Sequence, residues 1–266
     1  MCELFALSSA LPTKATFSLE QFASHGGLRG PHRDGWGLAF YDGAYAQIFR
    51  EPEAASASEW MRFLQSNQQR STCVISHIRL ATQGEPALRN TQPFSRELGG
   101  RRHVFCHNGD LKDIFQRMQT RHHQPIGETD SEYAFCCLMD RAEEIWSDGA
   151  PTLERRIALL KPFFDELATM GQANFLYADG EYLYAYANKR KNSDGVVKPP
   201  GLYYLCRRCE QDIETATIAL QGMALETATG GATQEVVLFA SAPLSDENWR
   251  PFEENQMIVC RDGKII

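Results

Sequence analysis

No stretch of this sequence approaches the roughly 20 consecutive apolar residues that a membrane span needs. Nor does it open on a basic region followed by an apolar segment and a small-residue cleavage site. A spanning helix and a secretory leader are therefore not expected, and the chain reads as cytoplasmic. Positive charge is also short: 27 Lys and Arg stand against 34 Asp and Glu, a net charge of -7. That balance argues against nucleic acid or an anionic membrane surface as the main partner. Internal repeats, low-complexity tracts and long linkers are absent, so the 266 residues read as one domain over 1–266, large enough to bury a sizeable core. With 43% hydrophobic and 23% charged residues the composition is that of a globular protein.

Cysteine is present, with eight residues, but not in a framework pattern. In a reducing compartment these read as free thiols, ligands or nucleophiles. Cys206-Arg207-Arg208-Cys209 has no second pair at zinc spacing, so it reads as two cysteines in a strand and turn, and no metal or cofactor is expected. His77 and His107, each in a strand beside a polar position, read as orienting or core groups.

What is present is mostly strand pattern. Glu3-Leu4-Phe5-Ala6-Leu7 alternates as a buried strand does. Asp42-Gly43, Asp179-Gly180 and Asp262-Gly263 sit between β-rich runs and predict hairpins. Strands are also predicted through Thr72–Ile78, from Arg102 to Asn108-Gly109, at 201–206, at 236–241 and at 257–260. Helices are predicted at Ser18–Ala23, from a Ser56-x-x-Glu59 capping box, over about Leu111–Gln119, from Asp130 as N-cap, and over Pro151–Gly171. Strands, then central helices, then strands again imply antiparallel sheet layered with helices.

Four positions carry chemistry. Removal of Met1, which the small side chain at position 2 permits, would leave Cys2 with a thiol and a free α-amine on one carbon skeleton. An α-amine titrates near neutral pH, at about 7.7–8.0, so it can serve as the base for its own thiol. Arg79 ends a β-rich run and could fork onto a carboxylate or close a structural ion pair. Asn108-Gly109, read as a turn, would leave the Asn108 amide and the Gly109 N–H pointing outward as paired donors suited to an oxyanion. Asp130 fits a helix cap, and a cap can also face a site.

Met1-Cys2-Glu3-Leu4, Asp34-Gly35-Trp36-Gly37, His77-Ile78-Arg79-Leu80-Ala81-Thr82-Gln83-Gly84, His107-Asn108-Gly109 and Thr129-Asp130-Ser131-Glu132 occur in that order. Together they resemble the class II glutamine amidotransferases of the N-terminal-nucleophile (Ntn) hydrolase superfamily, in particular the stand-alone YafJ-type members. The resemblance implies an α+β fold, a four-layer αββα sandwich of two antiparallel sheets between helical layers. It implies that Cys2 is the nucleophile, that Asn108 and Gly109 hold the oxyanion, and that Arg79, Thr82 and Asp130 bind substrate. The implied reaction is hydrolysis of the glutamine side-chain amide through a Cys2 thioester, releasing ammonia to an acceptor protein not identified by the sequence.

Two departures bear on that expectation. In members fused to a synthetase, the positions of Leu80 and Gln83 are commonly aromatic and His. The sequence also shows no P-loop and no Rossmann fingerprint at which ammonia would be consumed. Two other readings therefore stand beside the first: an amidohydrolase acting on a larger γ-glutamyl compound, and a non-catalytic glutamine-binding module that keeps the fold.

Overall fold

Alternating apolar residues commit most of the chain to strands, and two sheets result. The computed structural model describes residues 2–17, 32–67, 69–192, 195–209, 216–220, 223–227 and 234–266. Strands β1 (Glu3–Phe17), β2 (Trp36–Asp42), β3 (Tyr45–Glu51) and β4 (Arg70–Ile78) begin the first sheet. Strands β5 (Phe94–Leu98), β6 (Arg101–Leu111), β7 (Gly171–Ala178) and β8 (Leu183–Ala187) form most of the second. A short ribbon of β9 (Arg190–Lys191) and β10 (Val197–Lys198) follows. The chain then returns to the first sheet through β11 (Tyr203–Cys209), β12 (Ala216–Leu220), β13 (Met223–Thr227), β14 (Gln234–Ala240) and β15 (Arg250–Pro251). It ends in the second sheet with β16 (Gln256–Arg261) and β17 (Lys264–Ile265).

The first sheet runs β15-β11-β14-β1-β4-β2-β3, with β13 also paired to β1 and β12 to β13; the second runs β17-β16-β8-β7-β6-β5. Every ladder is antiparallel. Helices α1 (Glu59–Ser66), α2 (Ile114–Arg117), α3 (Asp130–Trp146) and α4 (Leu153–Ala168) complete the elements that position the site.

Strand alternation sorts the side chains into three cores. Leu4, Ala6, Ile75, Cys106, Leu176 and Val237 fill the space between the sheets. Phe5, Leu7, Trp36, Leu38 and Leu238 face the other way and pack with Met61 and Leu64 of α1. Phe105 and Phe175 leave the second sheet toward α3 and α4, where Phe105 stacks on Phe135 at 5.3 Å and Phe164 on Phe175 at 4.9 Å. These four rings are fully buried, each contributing about 1.5–3 kcal/mol relative to exposure. The order is helix, sheet, sheet, helices, as the resemblance implies.

The three Asp-Gly hairpins form as expected, joining β2 to β3, β7 to β8 and β16 to β17. Elsewhere the structure corrects the sequence. Asn108-Gly109 is no turn: β6 continues through it to Leu111, with Asn108 opposite Asn174 and Gly109 opposite Ala173. An available partner strand outweighs the local turn preference of Asn-Gly. The helix expected over Leu111–Gln119 shrinks to Ile114–Arg117. The cap of α1 is Ser58, whose Oγ accepts from the Met61 N–H at 2.8 Å, and not Ser56. Trp60 and Phe63 of that helix lie about half exposed. Thr129, not Asp130, caps α3, accepting from the Glu132 N–H at 3.2 Å, so Asp130 is the first helical residue. The long helix spans Leu153–Ala168, shorter at both ends than expected. The helix expected at Ser18–Ala23 lies outside the described residues.

Candidate active site

The ends of β1, β4 and β6 converge with the start of α3. Cys2 precedes β1, and because Leu4 and Ala6 face the gap between the sheets, alternation turns Cys2 the same way. Asn108 reaches it from the second sheet: its Nδ2 donates to the Cys2 carbonyl at 2.6 Å and to Ser241 Oγ at 3.2 Å. Both amide hydrogens are thus engaged, where the sequence reading had the amide facing outward as a free donor. Asn108 Oδ1 is buried without a hydrogen-bond partner among the described residues. Ser241, just past β14, also accepts from the Leu4 N–H at 3.0 Å, which ties the start of β1 to the same point.

The half-buried Cys2 thiol hydrogen-bonds to the backbone of Leu80, donating to its carbonyl at 3.4 Å and accepting from its N–H at 3.3 Å. Burial raises its pKa above the ordinary 9.0, opposed by the Leu80 N–H and the Arg79 charge, while Asp130 adds to the rise. Both charges therefore act on the sulfur. Among the described residues no imidazole hydrogen-bonds to it.

Arg79 is almost fully buried at the end of β4. It does not present an open fork. One terminal nitrogen donates to the carbonyls of Asp34 and Glu85 at 3.3 and 3.1 Å, the other to Gln83 and Gly84 at 2.8 and 2.9 Å. The guanidinium thus gathers the loop that follows it. Asp34 secures the same loop from the other side, its Oδ2 accepting from the Ala81 N–H at 2.7 Å, and Arg79 N–H donates to the Gly35 carbonyl at 2.8 Å. Thr82 is exposed on this loop, and Gln83 Nε2 reaches across to Asp110 Oδ1 on β6 at 3.1 Å.

Asp130 is buried at the first position of α3, where the helix dipole favours a carboxylate. One oxygen accepts from the Leu111 N–H at 2.7 Å, the other from the Ser131 N–H at 2.8 Å and Ser131 Oγ at 3.2 Å. Ser131 Oγ also lies 2.9 Å from His107 Nδ1, and His107 Nε2 lies 3.0 Å from the Gln172 carbonyl, which fixes Nε2 as the donor and leaves Nδ1 to compete with Asp130 for the single Ser131 hydroxyl proton. Burial lowers the pKa of His107. His77 is fully buried with neither ring nitrogen hydrogen-bonded among the described residues, and burial, with the nearby His107, Arg79 and His32, pushes its pKa down to about 3. Both histidines are core groups, as the sequence suggested.

Gly109 answers a steric demand. A Cβ there would lie 1.7 Å from the Gln172 carbonyl oxygen and 2.5 Å from His107 Nε2, so β6 and β7 could not close around a larger residue.

The structure brings Cys2, Arg79, Asn108, Gly109 and Asp130 together, with Thr82 on the loop above. Sequence reasoning missed Ser241, which alternation alone places at a strand end, and Asn174. The latter donates to the Asn108 carbonyl at 2.9 Å and to the Lys189 carbonyl at 3.0 Å. Asp34 was legible as part of a motif but not as the residue that fastens the Arg79 loop.

Two stacked antiparallel sheets between helices, with a cysteine at the head of one sheet facing an Asn-Gly pair of the other, define a sandwich of the Ntn amidotransferase type. The chain belongs to the class II glutamine amidotransferases, whose family model matches residues 1–266. It is 33% identical over 269 residues to the "Putative glutamine amidotransferase YafJ" of Escherichia coli (strain K12), covering all of both chains. It also matches the crystal structure of a predicted glutamine amidotransferase from Pseudomonas aeruginosa PA01, with TM-score 0.71, 30% identity and coverage of 100% of this chain and 99% of that one. The glutamine phosphoribosylpyrophosphate amidotransferase of B. subtilis shares the fold at 16% identity and TM-score 0.61, with this chain covering 48% of its length. No helix among the described residues is long and apolar enough to cross a membrane.

Proposed function

We propose that Cys2, once Met1 is removed, attacks the side-chain amide carbon of glutamine and releases ammonia. The observation that carries this reading is the contact between sheets, in which Asn108 Nδ2 holds the Cys2 carbonyl at 2.6 Å while its own Oδ1 is buried and unpartnered. A free α-amine on Cys2 supplies the base that the thiol lacks. Burial works against the thiolate, so a base beside the sulfur is required.

The steps balance as follows. The thiol proton passes to the amine as sulfur bonds to the amide carbon. Asn108 Nδ2, exchanging its longer bond to Ser241, and the Gly109 N–H take the resulting oxyanion. The carbon–nitrogen bond then breaks, and the amine returns the proton to the leaving ammonia. Water attacks the γ-glutamyl thioester, giving glutamate and the free thiol. Arg79 takes the substrate α-carboxylate in exchange for loop carbonyls, Asp130 takes the α-ammonium, and Thr82 lines the entrance. An acceptor protein for the ammonia belongs to the same proposal.

The test is intact mass after incubation with a glutamine-analogue affinity label, with ammonia release assayed in parallel. Loss of Met1, a single adduct absent from Cys2→Ala, and ammonia release from glutamine are expected. An active preparation that retains Met1 would overturn the mechanism. Faster turnover of γ-glutamyl conjugates than of glutamine would replace the substrate and leave the nucleophile in place.

A further inference from the structure

Farther along α3 from Asp130, and apart from the candidate active site, lies a second cluster of side chains that the chemistry above does not use. We propose that His122, His123, Asp140 and Glu143 form a binding site for one divalent transition-metal ion of the zinc type. The ligand atoms of His122, Asp140 and Glu143 all lie within 4.8 Å of one another, the one such group among the described residues. His122 Nδ1 is 2.7 Å from Glu143 Oε2. His123 Nδ1 is 3.1 Å from Asp140 Oδ1 and 3.6 Å from Glu143 Oε1. Ligands about 2.0–2.2 Å from a tetrahedral zinc stand roughly 3.3–3.6 Å apart, so the His122, Asp140 and Glu143 ligand atoms need to close by only about an ångström, with His123 beside the two carboxylates.

The backbone prepares this arrangement. Asp140 and Glu143 share one face of α3 by their i, i+3 spacing, and the two histidines come from the segment before it. The Asp140 side chain is only 5% exposed. It accepts from the backbone N–H groups of Arg121, of His122 at 3.0 Å and of His123 at 2.9 Å. These donors fix the carboxylate at the base of the cluster. The His122 side chain is 74% exposed, which gives an ion an open path from solvent. Two imidazoles with two carboxylates suit a borderline cation such as Zn²⁺ better than Ca²⁺ or Mg²⁺, which favour oxygen alone.

Each imidazole–carboxylate contact now holds a proton where the ion would sit. An ion displaces those protons, because a ligating nitrogen must be free of its hydrogen. The bound ion would fasten the segment before α3 to the middle of the helix.

The test uses the full chain, free of any affinity tag and stripped with EDTA, titrated with ZnCl₂ in a calorimeter near neutral pH. Cobalt provides a second readout through its visible absorption. One ion per chain is expected, with tetrahedral cobalt bands and at least a tenfold loss of affinity in His122→Ala and in Glu143→Gln. Both side chains lie toward the surface, and the metal-free melting temperature of each variant checks that folding is intact. Absence of saturable one-to-one binding would overturn the proposal. So would binding that both variants retain and thiol alkylation abolishes, because the ion would then sit on cysteine.

Discussion

Asn108→Ala separates catalysis from stability, because the structure makes its two effects differ in size. Loss of an oxyanion donor costs about 10²–10³ in rate, or roughly 2.7–4 kcal/mol of transition-state stabilisation. The folded state fares differently. Truncation removes the bonds from Nδ2 to the Cys2 carbonyl and to Ser241 Oγ, worth about 1–3 kcal/mol together. It also removes the buried Oδ1, whose unmet hydrogen bond costs about 1–3 kcal/mol. These nearly cancel, and at about 2–4 °C per kcal/mol for a chain near this size the melting temperature stays within a few degrees of the parent. Ammonia release from glutamine, read as oxidation of reduced nicotinamide when a coupling dehydrogenase aminates 2-oxoglutarate, gives kcat, and scanning calorimetry gives Tm. A kcat near that of the parent would refute the oxyanion role. A collapse in Tm accompanying the loss of activity would refute the cancellation and make Asn108 a structural tie between the sheets.

Gly109→Ala forces a methyl group to within 1.7 Å of the Gln172 carbonyl oxygen, so β6 and β7 must part. A loss of at least about 1–3 kcal/mol is expected by calorimetry, and an unchanged Tm would contradict this register. Arg156→Met leaves Asp179 without the guanidinium that meets it at 2.9 Å, at a site where the Asp179 side chain is 1% exposed. A destabilisation of about 3–5 kcal/mol in urea unfolding is expected, and an unshifted midpoint would show that the pair contributes nothing. His77 binds its proton only near pH 3 when folded but at about 6.5 when unfolded. Between those values the unfolded state holds more protons, so stability is complete above about pH 6.5 and falls as pH drops, by up to about 1.4 kcal/mol per unit. His77→Leu is expected to flatten the fall in Tm between about pH 7 and pH 5; parallel profiles would clear His77 and implicate His107 or His103. Arg79→Lys replaces a planar fork serving four carbonyls with one ammonium of three donors, so a raised KM for glutamine is expected, and an unchanged KM would remove Arg79 from substrate binding.

Much of the sheet pattern was readable because it is carried by local signals. Asp42-Gly43 is flanked by runs that alternate, and neighbouring strands form a hairpin with no distant information. The errors share one cause, which is that a distant partner decided the outcome. Asn108-Gly109 has the composition of a turn, yet β7, far along the chain, offers its edge and the strand runs on. Ser56, Ser58 and Glu59 leave two registers open for a cap, and the packing of Met61 and Leu64 against Leu7 and Leu38 selects the later one. Trp60 and Phe63 lie about half exposed because Met61 and Leu64 are the α1 residues that meet the sheet.

The site shows the same limit in sharper form. Residue types are legible: a thiol, a guanidinium, an amide and a carboxylate each announce what they can donate or accept. Their partners are not. Arg79 can fork onto a carboxylate, and the sequence contains nothing to say that four backbone carbonyls of Asp34, Gln83, Gly84 and Glu85 will occupy it. Asn108 can donate to an oxyanion, and only the approach of two sheets shows that Cys2 and Ser241 already hold both its hydrogens. In the proposed reaction, then, substrate does not enter an empty set of donors. It must displace contacts the fold already makes, and a compound that fails to offer Arg79 a carboxylate has nothing to exchange for the loop. Selectivity for an α-amino acid end would follow from that exchange, with the loop of Thr82 and Gln83 released as the carboxylate binds.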